Sequence, residues 1–151
     1  MSRWKGSALI VSLLMFAIVG VAYAPYHTQT PPSPAGGAAF KNQAKTASQH
    51  AGFAADSGTM SGAKEHIGHA IVCMEGPRGK NVNAAWENPC AGQGNGVLAD
   101  LQTGPQGAAW LLVAQSADSL AVAALNNNNL TQVKNAAQGV SELMRLIAET
   151  K

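Results

Sequence analysis

The sequence predicts an all-α domain: an antiparallel four-helix bundle with a long disulfide-stapled loop between the second and third helices. Three observations predict it. Apolar residues recur at three- and four-residue spacing through four segments. Beyond residues 1–24 no Val/Ile/Thr-rich alternating run appears, so strands are not expected. The junctions after the first and third segments are short, which suits two antiparallel hairpins packed together. A chain of 151 residues has room for one such domain.

The chain opens with Arg3 and Lys5 ahead of an apolar run, Ala8 to Ala24, interrupted by Ser12 and Tyr23. Small residues at Gly20 and Ala22 suit cleavage of a secretory signal peptide after Ala22. The alternative is an uncleaved signal anchor, for which the run is near the minimum length for spanning a bilayer. Either reading places the rest of the chain in the periplasm or outside the cell, the second with membrane anchoring through residues 8–24. Residues 25–37 carry Pro25, Pro31, Pro32, Pro34, Gly36 and Gly37 and read as a linker. The domain then covers 38–151.

The first helical stretch, Ala38 to Asp56, places Phe40, Ala44, Ala47, Ala51 and Ala54 on one face, and Ser57-Gly58 ends it. Thr59 or Ser61 can cap the second. That stretch runs to about Met74, with Met60, Ala63, Ile67, Ala70 or Ile71, and Met74 inward. Glu75-Gly76-Pro77 stops it. Residues 76–102 show little periodicity and read as a long ordered loop, in which Gly92, Gly94 and Gly96 serve as turn residues. They lack the lysine and strand–helix setting of a phosphate-binding loop.

Thr103-Gly104-Pro105-Gln106 resembles a capping box for the third helix. Trp110, Val113, Ala114, Ala117, Leu120, Ala121 and Ala124 are expected inward. Leu111, Leu112 and Val122 widen the apolar surface and predict that this helix is the most buried. Asn126 to Asn129 makes the turn. In the fourth helix Leu130, Val133, Ala137, Val140, Met144 and Ile147 follow a 3-4 repeat, and Lys134, Gln138, Glu142, Arg145 and Glu149 face water.

Charge narrows the function. Of 10 Lys and Arg, two precede the apolar run, leaving 8 against 8 Asp and Glu. A near-neutral domain lacks the basic face of a nucleic-acid binder. Catalytic residues are not assigned: no Ser-His-Asp or Cys-His arrangement can be specified. Cys73 and Cys90 are the only cysteines, and an exported chain with an even count favours a disulfide, with thiolate metal ligation as the alternative. Asn129-Leu130-Thr131 is a formal glycosylation sequon at a helix start.

Three of the 4 histidines cluster. His66 and His69 share a helix face. His50 and His66 are equidistant from Gly58, so a hairpin turning there sets them opposite one another, with His69 one turn further away. Three imidazoles then converge, and imidazole ligates Cu(II), Ni(II) and Zn(II). Asp56 and Glu65 are candidate oxygen donors, with Glu75 more remote. His27 lies in the linker. Met60 and Met74 read as core residues.

The pattern Ala44-Lys45-x-x-x-x-His50-Ala51 recurs as Ala63-Lys64-x-x-x-x-His69-Ala70, with a fainter echo from Val133-Lys134 to Gly139-Val140. An exported, Ala-rich helical chain with this repeat resembles the small periplasmic metal-binding protein family over residues 38–74 and, weakly, the last helix. The resemblance implies a four-helix bundle that binds divalent metals, copper especially, through many histidines. This chain departs in having few histidines and in carrying the 76–102 loop.

The leading expectation is therefore a non-enzymatic, extracytoplasmic protein that binds or buffers a divalent transition metal (copper, nickel or zinc) through His50, His66 and His69. The alternative is a metal-free structural or protein-interaction module whose loop, with Arg78, Lys80 and Trp86, forms the contact surface.

Overall fold

A computed structural model describes residues 36–103 and 107–151. The signal segment, most of the linker and His27 lie outside the described residues. The described residues are all-helical, without a strand: α1 is Gly36–Asp56, α2 Met60–Glu75, α3 Val97–Thr103, α4 Gly107–Leu125 and α5 Leu130–Ala148. The two short turns fall where Gly58 and the asparagine run place them.

Caps explain the boundaries. The Thr59 side chain accepts from the Gly62 N–H and starts α2. The Asn129 side chain accepts from the Gln132 N–H and starts α5, which gives the sequon asparagine a structural task. Gly76 ends α2 at φ 81°, a conformation that favours glycine. A Cβ there would lie 2.0 Å from the Asn95 carbonyl oxygen. The two ends of the segment between α2 and α3 therefore meet backbone against backbone.

Three sequence expectations need correction. α1 begins at Gly36, two residues into the segment read as linker. The long loop is shorter than expected, because α3 occupies its last turn and a half, with Val97 and Leu101 buried and Asp100 accepting from the Asn95 N–H and Nδ2. Thr103 is thus the last residue of α3, not a cap before α4. The rest of the supposed capping box lies outside the described residues. Gly92, Gly94 and Gly96 do serve as turn residues, all with positive φ.

The third correction concerns α4. Its buried residues are Gly107 and the stripe Ala114, Ala117, Ala121 and Ala124. Trp110, Val113 and Leu120 are only half-buried, and Leu112 is 67% exposed. α4 is long and apolar enough, by length and composition, to cross a membrane. It packs instead against α5, α2 and α3 through small residues, with Gln115, Ser116 and Ser119 exposed. Its larger side chains sit on the flanks of that stripe.

The core pairs small against large. α1 contributes Ala44, Ala47, Ala51 and Ala54, all fully buried. α2 and α5 contribute Ile67, Ile71, Met74, Val133, Val140, Met144 and Ile147. The alanine stripe lets α1 approach α5 closely. There the Ser48 and Ser141 hydroxyls each donate to the other's carbonyl at 2.9 Å, a reciprocal clasp. Lys134, expected in water, is half-buried, as is Leu130.

Cys73 and Cys90 lie at disulfide distance, with Cα atoms 5.3 Å apart and a sequence separation of 17. The pair fastens the loop to the end of α2. Closing such a loop stabilises by about 3 kcal/mol in the chain-entropy model. Reduction is expected to lower the melting temperature by several degrees. Two free thiols in protein recovered from its native compartment, found by mass spectrometry, would contradict the pairing.

Candidate metal centre

The α1–α2 hairpin builds the site. α1 carries His50 eight residues before Gly58, and α2 carries His66 and His69 on the face turned towards α1. His50 is 5.7 Å from His66 and 5.0 Å from His69 between ring centroids, and His66 is 5.9 Å from His69. The three rings form a nearly equilateral triangle, with His50 slightly nearer His69, so His69 is not the remote member that turn-counting suggests. One ligand nitrogen from each ring lies within 4.8 Å of the others.

His69 is buried, and His50 and His66 are half-buried. The Nδ1 atom of all three is buried without a hydrogen-bond partner. An unsatisfied buried nitrogen costs about 1–3 kcal/mol, and three at one spot are an unusual concentration of polar atoms awaiting a partner. A bound cation satisfies such a set. Ligation at 2.0–2.1 Å in a tetrahedral arrangement brings nitrogens to roughly 3.3 Å apart, so the rings need close by only about 1.5 Å. Burial, then the neighbouring His69 and His66, lower the His50 pKa from its ordinary 6.5. That favours the neutral imidazole, the form that ligates.

Phe53 completes the rim. Its ring lies 5.7 Å from His50, edge-on, and 5.5 Å from His66, yet it is 54% exposed. Sequence reasoning passed over it, although its position three residues after His50 places it on the same helix face. Asp56 and Glu65 are exposed and are not members of the cluster. Glu75 accepts two hydrogen bonds from Asn81 at the far end of α2. Met74 is fully buried and Met60 packs at the core edge, as expected of core residues. The cysteines are paired with each other.

The interaction-module residues fall differently. Arg78 and Lys80 are exposed, but Trp86 lies across Gly68, where a Cβ would come within 2.7 Å of its ring. Its indole is spent on its own domain.

No family model, no curated protein and no solved structure matches this chain.

Proposed function

We propose that the protein is an extracytoplasmic, non-enzymatic metal-binding protein that holds or buffers a divalent transition metal at His50, His66 and His69. One observation carries this reading: three imidazoles with ligand nitrogens within 4.8 Å of one another and no hydrogen-bond partner for any buried Nδ1. All-nitrogen ligation suits Cu(II), Ni(II) or Zn(II) over Mg(II) or Ca(II), which prefer oxygen. Three protein ligands leave one coordination position for water or an exchanging ligand, which suits uptake and release better than permanent structural retention.

The paired cysteines agree with an oxidising compartment, and the signal-like N-terminus points the same way. We take α1, α2, α4 and α5 to form the antiparallel four-helix bundle that the sequence predicts, with α3 an addition to the loop. The Ala-Lys-x-x-x-x-His-Ala matches, which supply two of the three ligands, support a relation to the small periplasmic metal-binding proteins.

Calorimetric titration of the purified protein with Cu(II), Ni(II) and Zn(II) is the direct test. Saturable binding of one ion per chain is expected for at least one of them. Absence of saturable binding for all three would overturn the proposal.

A further inference from the structure

Asp118 is the only charged residue in α4, and the metal centre does not use it. It sits on the wall of an open groove of about 660 Å³ with Glu75, Lys80, Asn81, Gln102 and Ser119. The Asp118 carboxyl faces that of Glu75 within hydrogen-bonding reach. The Glu75 oxygens are already committed: Oε2 accepts from the Asn81 N–H at 2.8 Å, and Oε1 accepts from the Asn81 Nδ2. A Cβ at Gly79 would collide with the Glu75 side chain, so the loop wraps it closely. Asp118 Oδ1 is buried and finds no donor.

Two carboxyl groups at this separation cannot both be ionised cheaply, so one proton lies between them. Glu75 accepts two hydrogen bonds and Asp118 Oδ1 accepts none, which puts the proton on Asp118. We propose that Asp118 and Glu75 form a proton-bridged latch that ties α4 to the C-terminal end of α2 and loosens when the proton leaves.

The surroundings permit it. α3 presents only Leu98, Ala99 and Gln102 to the groove, and α4 adds Ser119 and Val122. Lys80 is the one cation lining it. Among the described residues both ion pairs belong to Arg145, so Lys80 does not neutralise either carboxylate directly. Burial, then the charge and hydrogen bond of Glu75, push the Asp118 pKa up from 3.8 to about 7.

The sign follows. Between pH 3.8 and about 7 the folded protein holds a proton at Asp118 that the unfolded chain has released. The latch therefore stabilises fully below that window, weakens as pH rises through it, and is lost above it.

Asp118→Asn tests this, because its amide donates to Glu75 at every pH. The melting temperature of the parent should fall relative to the variant between pH 4 and 7.5, with the variant melting higher at pH 7.5. Carbon-13 NMR of labelled aspartate should show one carboxyl titrating near pH 7 in the parent. That resonance should disappear in Asp118→Asn and titrate lower in Glu75→Gln. Exchange of the Asn81 amide, normalised to its intrinsic rate, should quicken above pH 7 in the parent only. If every aspartate of the parent titrates in the ordinary range, or the two melting curves run parallel with pH, the latch does not exist. The parent titration decides the matter even if a variant fails to fold.

Discussion

Val140→Asp should abolish the cooperative thermal transition. Val140 is fully buried at the centre of α5, among Val133, Ala137, Met144 and Ile147. Among the described residues no Lys or Arg is buried, so no lysine or arginine is in the core to meet a new carboxylate. An unpaired charge there costs several kcal/mol even after partial neutralisation. A domain of this size has about 5–15 kcal/mol in all, and a core of alanines offers little apolar area in reserve. Circular dichroism should show lost helix and a broad or absent transition. Gln138→Asp, two residues away and exposed, is the control and should stay within about 0.5 kcal/mol of the parent. A Val140→Asp protein that melts like the parent would mean that the buried face of α5 is misassigned.

Replacing the three histidines should remove metal binding while leaving the fold intact. Loss of a residue that merely orients a ligand costs about 10–100-fold in affinity, so loss of any one ligand should cost at least that. The single losses should not sum, because three ligands of one ion act as a unit. Binding should weaken as pH falls through the ordinary imidazole range near 6.5, since a protonated ring cannot ligate. The lowered pKa of His50 keeps that ligand available further into the acid range than an ordinary imidazole. A bound ion should stabilise by about 2.7 kcal/mol at a free concentration one hundred times its Kd. His27→Ala should change none of this. Equal affinity in the parent and in His50→Ala/His66→Ala/His69→Ala would end the metal reading at this site.

The histidine set was legible because a hairpin's register depends on local quantities. Once Ser57-Gly58 is the turn and both flanks are helical, residues equidistant from it share a height, and a residue three further on shares a face. Counting from the turn does not say how the two helices are rotated against each other, however. That rotation, in a hairpin whose Ala47, Ala51, Ala63 and Ala70 are all fully buried, leaves His50 5.7 Å from His66 and 5.0 Å from His69. Phe53 was missed because an exposed aromatic carries no signal until its neighbours are known. Asp118 did carry one, as a lone charge in an otherwise uncharged helix, but nothing local points to Glu75 as its partner.

By itself the sequence determined the long helices, a cap at Thr59 or Ser61, the asparagine and glycine turns, and most of the inward face of α5. Periodicity, capping and turn chemistry act within a few residues and need no knowledge of the rest of the chain. The tertiary structure decided what depends on neighbours: that a short helix forms at Val97–Thr103, that α4 buries its alanines and leaves Leu112 in solvent, and that Glu75 meets Asp118. α4 is apolar on nearly every side, so its own pattern cannot select a face. The selection goes to the side where small residues let neighbouring helices come closest, because close packing yields the most dispersion contact per residue.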